Sequence, residues 1–390
     1  MSLVGVIIAI DLAGKGLTPV GIGLVIGAGV AGSAAGTVLV GLWADSWGRR
    51  RTLVGFGILA GVGYAALAAT SSLAALAIVS FFGMVNGMGR DRGAASALDQ
   101  AILPTIVTDN RRTWALAWYN ATIDTGHAVG ALGAIIPTLV ATTFALTMQR
   151  AHELTLLLCG AVVIVASLAY AGLSGDTEVR SPVTDARHRP HIDANTRRTV
   201  RKIALLFGVD SVGGGFLSSS LVAYWFFERY GTSEVQLAML FFGARTLNVL
   251  SHIAAAWLAR RIGLLNTMVF THLPSSVLLM LAPTASSAPL AAALFLAREA
   301  LVEMDVPTRQ SYVMAVVPAS ARTYASGMTN VTRNIGWAVG PLLGGPAMQQ
   351  IALAAPLLIG GTLKIAYDLA LYRSFRHLRP PEESSVVALT

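Results

Sequence analysis

The sequence predicts an all-α, polytopic membrane protein made of two related six-helix halves. Three observations carry this expectation. Only 12% of the residues are charged while 54% are hydrophobic, against roughly 25% charged in ordinary soluble domains. The apolar residues come in long blocks, and the second half repeats motifs of the first. A soluble domain this poor in charge could not cover its surface, whereas a hydrocarbon core of roughly 30 Å calls for about 20 apolar residues per helix.

The blocks, in order, are 1–13, 19–44, 53–70, 73–107, 113–147, 154–173, 202–227, 235–259, 264–283, 288–317, 323–349 and 351–372, twelve in all. The stretch 174–201, SGDTEVRSPVTDARHRPHIDANTRRTVR, is the one long polar segment, with two prolines and mixed charge. It reads as a flexible linker. The expected organisation is an N-terminal bundle over 1–173, a linker over 174–201, a C-terminal bundle over 202–372 and a tail over 373–390.

Charge sets orientation. The connections after segments 2, 4, 6, 8 and 10 carry Arg49–Arg51, Arg111 and Arg112, the linker arginines, Arg260 and Arg261, and Arg322, while the alternate connections carry Lys15, Arg150 and Arg229. Positive charge marks the cytoplasmic side. The linker and C-terminus are therefore expected inside, in a cell (inner) membrane. The net charge of +8 follows from these arginines at block ends, so no nucleic-acid partner is implied. Cys159, the single cysteine, lies in an apolar block and reads as a small core residue. The N-terminus lacks a basic n-region, so no cleavable leader is read there.

The halves repeat. NATIDTGHAVGAL at 120–132 matches NVTRNIGWAVGPL at 330–342 with an offset of 210, and LWADSWGRRRTL at 42–53 matches WLARRIGLLNTM at 257–268 with an offset of 215. Under the second offset Gly16 aligns with Gly231 and Met1 with Phe216, leaving 202–215 without a counterpart. A first segment of about 13 residues, at about 1.5 Å each, does not cross the hydrocarbon. The first helix is therefore expected to be truncated, with a native start upstream.

Against this background GLWADSWGRRRTL, residues 41–53, resembles the signature loop of the major facilitator superfamily, Gly-x-x-x-Asp-x-x-x-Gly-Arg-Arg/Lys, with one residue dropped between Asp and Gly. Gly41, Asp45, Gly48 and Arg49 occupy its positions, followed by Arg50. The second copy departs from it, with Arg260 in place of Asp45. The resemblance covers nearly the whole chain. Asp45 sits where it could pair with Arg111 or Arg112 or face a helix N-terminus, and the resemblance implies a transporter whose loop latches two bundles, with this Asp at the start of helix eleven near Thr323. Arg49–Arg51 would also bind anionic lipid headgroups.

A charge at bilayer depth costs at least about 2.5–3.5 kcal/mol and should face a cavity or a partner. Segment five aligns Asn120, Asp124 and His127 as a polar stripe, with Gly126, Gly130 and Gly133 on another face expected to pack tightly. Those glycines resemble the fifth-helix motif of the family's antiporters, but the motif's Gly-Pro pair stands instead at Gly340-Pro341. Segment eight presents Arg245, Asn248 and His252. Segment ten puts Arg298, Asp305 and Arg309 on one stripe, and Glu299 and Glu303 on a second. Segment seven holds Asp210. His272, beside Pro274 on a helix that the family makes peripheral, reads as structural. Lys364 and Asp368 read as a snorkelling pair.

The family's cavity-lining helices then imply roles. Asp124, Asp210 and Glu303 are candidates for proton coupling. Arg245, Asn248, Arg298, Asn120 and His127 are candidates for the substrate cavity, and Asp99 and Arg309 for an inner gate. The expected function is secondary active transport of a small solute, proton-coupled and favouring export. Uptake of an organic anion, or a non-transporting sensor with the same fold, are the alternatives. A membrane enzyme is disfavoured, because no cluster has metal-ligand spacing and no Gly-rich phosphate loop follows a strand. The expected partners are a small-molecule substrate and membrane lipid, with no cofactor and a monomeric chain.

Overall fold

The computed structural model describes residues 1–85, 87–89, 109–173, 193–318 and 321–377. Among them there is no strand. The helices in chain order are α1 (Ser2–Gly14), α2 (Pro19–Trp47), α3 (Arg49–Ala68), α4 (Leu73–Phe82), α5 (Asp109–Leu132), α6 (Ile136–Phe144), α7 (Met148–Leu168), α8 (Ala194–Phe216), α9 (Ser219–Tyr230), α10 (Glu234–Ile262), α11 (Leu264–Leu281), α12 (Ala288–Val302), α13 (Asp305–Val316), α14 (Arg322–Gln350) and α15 (Ala355–Phe375).

The duplication read from the sequence reappears in the helix boundaries. α2 and α10 are each 29 residues and are offset by 215 at both ends. Each begins after a hydroxyl cap: Thr18 accepts from the Gly21 N–H, and Ser233 accepts from the Gln236 N–H. The joints also correspond. Gly16 and Gly231 have φ of 83° and 63°, and Gly48 and Gly263 have φ of 90° and 87°. This is backbone territory where a Cβ is unfavourable. Thr52 and Thr267 each donate to the carbonyl of their joint glycine at 2.8 Å.

Seven described stretches are long and apolar enough to cross a membrane: Pro19–Val40, Arg49–Ala68, Thr122–Phe144, Met148–Gly172, Ala194–Tyr230, Glu234–Ile262 and Leu264–Thr284. The remaining expected segments depart for visible reasons. α1 has 13 residues, about 20 Å at 1.5 Å each. α4 ends at Phe82, and most of the rest of its segment lies outside the described residues. Segment ten is two helices, interrupted at Glu303 and Met304. α14 and α15 carry internal prolines and buried charges respectively. The polar linker differs from its sequence reading at its end: Ala194 onward is helical, because Asp193 caps α8 by accepting from the Thr196 N–H at 3.0 Å. Residues 174–192 lie outside the described residues.

Two compact units are defined by packing. The first comprises Met1–Ala186, Ser218–Phe242 and Pro341–Leu353; the second comprises Arg187–Leu217, Gly243–Gly340 and Ala354–Thr390. In the first, α3 packs on α7, α2 on α4, and α1 on α9 and α5. In the second, α8 and α11 both pack on α15, and α11 also on α12 and α13. Large apolar side chains point outward, with Val165 and Ile253 each 68% exposed and Leu205 70%, as helices facing lipid require.

Lipid tails are as apolar as leucine, so helices in a bilayer associate through close packing and polar contacts rather than through water exclusion. Both devices are present. A Cβ on Gly32 of α2 would lie 1.8 Å from the Phe81 carbonyl oxygen of α4, and one on Gly340 of α14 would lie 2.3 Å from the Gly215 Cα of α8. The expected tight glycine face of segment five is only partly used. Gly133 and Gly130 meet Leu3 and Ser2 of α1, whereas Gly126 has nothing within 4 Å of where a Cβ would stand. It borders a cavity of about 400 Å³ together with His127, Thr122 and Ser33.

Candidate functional site

The second unit buries a charged cluster built from four helices. Asp210 of α8 is its centre, within the buried interior. Lys364 Nζ of α15 donates to Asp210 Oδ1 at 2.7 Å, and Arg309 Nη1 of α13 donates to Oδ2 at 2.9 Å. Asp305, one turn before Arg309, stands 3.6 Å from the same guanidinium. The guanidinium also lies 5.1 Å from the Phe207 ring centroid, a cation–π contact that compensates lost hydration.

His272 of α11 completes the cluster. Its Nδ1 is 3.0 Å from both oxygens of Asp368 on α15, and its Nε2 is 3.3 Å from Lys364 Nζ. An ammonium has only protons to offer, so Nε2 accepts from Lys364 and Nδ1–H donates to Asp368. Three carboxylates (Asp210, Asp305, Asp368) then face two fixed cations. Asp210 Oδ1 is also 3.8 Å from His272 Nε2. Protonated His272 and Lys364 would thus compete for one carboxylate oxygen.

These contacts correct several sequence expectations. Lys364 and Asp368 do not snorkel: they are 6% and 1% exposed and turn inward, to Asp210 and His272. Arg298 and Asp305 stand on separate helices, because the helix is interrupted between Val302 and Asp305, and they pair with different partners. Asp305 goes to Arg309 instead, and Arg298 to Glu299. Asp210 and Arg309, expected in different roles, are one ion pair.

A second polar group in this unit joins α10 to α12. Arg245 Nη1 donates to Asn248 Oδ1 at 3.2 Å, and Asn248 Nδ2 donates to Glu299 Oε2 at 2.8 Å and to the Glu299 carbonyl at 3.0 Å. Arg298 Nη1 is ion-paired with Glu299 Oε1. The expected cavity residues Arg245, Asn248 and Arg298 are therefore brought together, around a glutamate that sequence reasoning had placed only on a secondary stripe. Glu303, also buried, ends α12 as its C-cap.

In the first unit, His127 Nδ1 lies 3.1 Å from Ser2 Oγ, and Asp124 is half-buried one turn earlier on α5. The side chains of Asn120, Arg112 and Asp45 and all of Asp99 lie outside the described residues. The signature stretch is nevertheless largely helical. α2 runs through to Trp47, so Gly41 and Asp45 lie inside it and the turn is made at Gly48 alone. Arg49 starts α3, and Arg50 Nη1 donates to the Leu173 carbonyl at 3.3 Å.

The family model described as Major Facilitator Superfamily matches residues 1–367. This chain belongs to the major facilitator superfamily. A curated relative, an uncharacterized membrane protein of Saccharomyces cerevisiae, is 23% identical, with 90% of this chain and 85% of that protein covered. Among solved structures, a point mutant of the nucleoside transporter NupG superposes with a TM-score of 0.73 at 13% identity, covering 96% of both chains. A bacterial homolog of the human lysosomal transporter Spinster, inward-facing and occupied, gives 0.70 at 14% identity, covering 96% of this chain and 91% of that one. The human organic anion transporter MFSD10 gives 0.56 at 17% identity, covering 90% and 83%. These likenesses establish the fold, and with the family they make this superfamily member a multi-pass membrane transporter.

Proposed function

We propose that this superfamily member is a proton-coupled secondary transporter that exports a small polar solute by alternating access, with its linker and C-terminus in the cytoplasm. The observation that carries the proposal is the buried Asp210 cluster. One carboxylate oxygen lies 2.7 Å from Lys364 and 3.8 Å from His272, so adding a proton to the imidazole exchanges one partner for the other. A ligand or proton drives a conformational change only through a difference in interaction between two states, and this exchange supplies one inside a helical bundle. Buried ionisable residues in such bundles mark proton and substrate pathways.

The solute is read from the α10–α12 group. Arg298 pairs with Glu299 and Arg245 reaches it through Asn248; Glu303, also buried, follows one turn later on α12, so two glutamates accompany the two arginines. A neutral or zwitterionic polar solute fits that balance better than an anion bound by positive charge alone. The fold's occurrence in a nucleoside transporter is in keeping with a polar solute; its occurrence in an organic anion transporter keeps anion movement as the alternative.

The test is flux in proteoliposomes with an imposed pH gradient, screened across nucleosides, amino acids and organic anions. Uphill, gradient-driven movement of one class is expected. His272→Gln should abolish uphill movement while leaving downhill exchange of the solute, and Glu299→Gln should weaken both. Solute movement that is indifferent to the pH gradient in the wild type would overturn the coupling.

A further inference from the structure

A separate charged cluster lies in the first unit, where six side chains from α1, α6, α7 and α10 converge. Asp11 of α1 is fully buried. Gln149 Nε2 of α7 donates to its Oδ1 at 2.9 Å, and Lys15 Nζ stands 3.1 Å from its Oδ2 while donating to the Leu67 carbonyl of α3 at 2.8 Å. His152 of α7, 3% exposed, lies between two carboxylates. Its Nδ1 is 3.9 Å from Asp11 Oδ1, and its Nε2 is hydrogen-bonded with Glu234 Oε1, at the start of α10. Thr138 of α6 donates to the other oxygen of Glu234 at 3.4 Å.

We infer that Asp11, His152 and Glu234 form a proton-binding site, and that the proton it takes up holds the start of α10 against α1 and α7. Two buried carboxylates face one ammonium, Lys15. A neutral imidazole has one N–H and can donate to one of them; an imidazolium donates toward both and brings the cluster to zero net charge. A buried net charge is expensive in a low-dielectric interior, so gain of the proton favours the packed arrangement and its loss favours separation.

The other elements around His152 supply no competing charge among the described residues. α3 contributes the Leu67 carbonyl and α6 the Thr138 hydroxyl. On α7 itself, Arg150 and Glu153 pair with each other at 2.6 Å on the exposed side. α9, packed on α1, carries Glu228, which bonds Tyr224, and Arg229, which lies over the Tyr230 ring.

The duplication singles the cluster out. At the offset of 215, Asp11 corresponds to Phe226, Lys15 to Tyr230 and Glu234 to Pro19. None of its charges belongs to the repeated framework, so the fold does not need them. The arginine distribution assigns this end, which holds the connections around Lys15, Ala145–Thr147 and Gly231–Ser233, to the extracytoplasmic side. The inference rests on the proposed orientation in that respect alone, and it extends the proton-coupled reading with a second proton site.

The experiment uses the full chain in lipid nanodiscs. Cys159→Ser removes the native thiol, and spin labels on Met148→Cys and Val235→Cys, both exposed positions, report the separation of α7 from the start of α10 by pulsed electron resonance. Between about pH 5 and about pH 8 the ratio of separated to packed populations should rise, by up to tenfold per pH unit while the single proton is lost. His152→Gln, which keeps a hydrogen-bonding side chain but takes no proton, should flatten that dependence, and Glu234→Gln should reduce it. A wild-type distribution unchanged across the range, or an unaltered response in His152→Gln, overturns the inference. Loss of pH-driven flux with the distance response intact would count against the transport reading alone. Normal pH-driven flux with a flat distance response would count against this site alone.

Discussion

Asp210→Asn isolates the charge of the central cluster while keeping its shape. In the native arrangement the carboxylate has Lys364 Nζ at 2.7 Å and Arg309 Nη1 at 2.9 Å. At an effective dielectric of about 20, each such contact is worth roughly 6 kcal/mol before desolvation. Burial cancels much of that, and removing one partner of a buried pair costs roughly 3–5 kcal/mol, because the remaining charge is left uncompensated. Here the stranded charge is Lys364, since Arg309 keeps Asp305 at 3.6 Å. Asp210→Asn should therefore destabilise the protein by about 3–5 kcal/mol, and Lys364→Met, which leaves three carboxylates facing Arg309 alone, by at least as much. The double variant should recover on the order of 2–3 kcal/mol of the summed loss. Denaturant titration of the purified chain in detergent, followed by tryptophan fluorescence, gives the three differences. If Asp210→Asn alone falls within about 1 kcal/mol of wild type, or if the two substitutions simply add, the ion pair is not what holds α8 to α15.

Other consequences follow from packing and capping. Gly32→Ala pushes a methyl into the Phe81 carbonyl, 1.8 Å from where the Cβ would stand. It should lower stability by at least about 1–3 kcal/mol, whereas Gly126→Ala, with nothing within 4 Å, should not, and parallel melting curves distinguish the two. Asp193→Ala should fray the start of α8, read as faster amide exchange over residues 194–200. Hydrogen bonds from Thr196 hold the Asp193 carboxyl below its ordinary value of 3.8. Its contribution is therefore complete above that value and fades as pH falls through the lowered one, so acid should reproduce the variant's fraying in the wild type.

Much of the architecture was legible because the bilayer and the duplication each leave a strong mark. Helix α10 starts and stops where α2 does, 215 residues earlier, and the glycine joints at 16, 48, 231 and 263 share positive φ. A repeat found in sequence thus predicted backbone conformation. Helix interruption was not legible. Glu299, Glu303, Asp305 and Arg309 all fit one continuous helical wheel, and the sequence placed Asp305 and Arg309 together on it, but only the structure reveals the interruption at Glu303 and Met304. The joint at Gly48 was half legible: the sequence marked a turn, but Gly41 and Asp45 belong to the helix before it.

The functional cluster was harder to read, and the reason is physical. Periodicity reports which residues share a face of one helix; it says nothing of which helix that face meets. Lys364 and Asp368, four apart, satisfy the pattern of a self-contained pair, and that pattern concealed that each has its partner on another helix. The more informative signal was cost. A lysine, a histidine and two aspartates within apolar segments are each expensive to insert, and their sum exceeds what a peripheral helix needs in order to be anchored. The repeat sharpens this argument. Residues that recur at the matching position serve the shared framework, as Gly48 and Gly263 do. At the same offset of 215, Asp11 and Lys15 meet Phe226 and Tyr230, so their burial is a departure from the framework. Departures that are costly to bury and absent from the matching half are where a duplicated transporter carries what its two halves do not share.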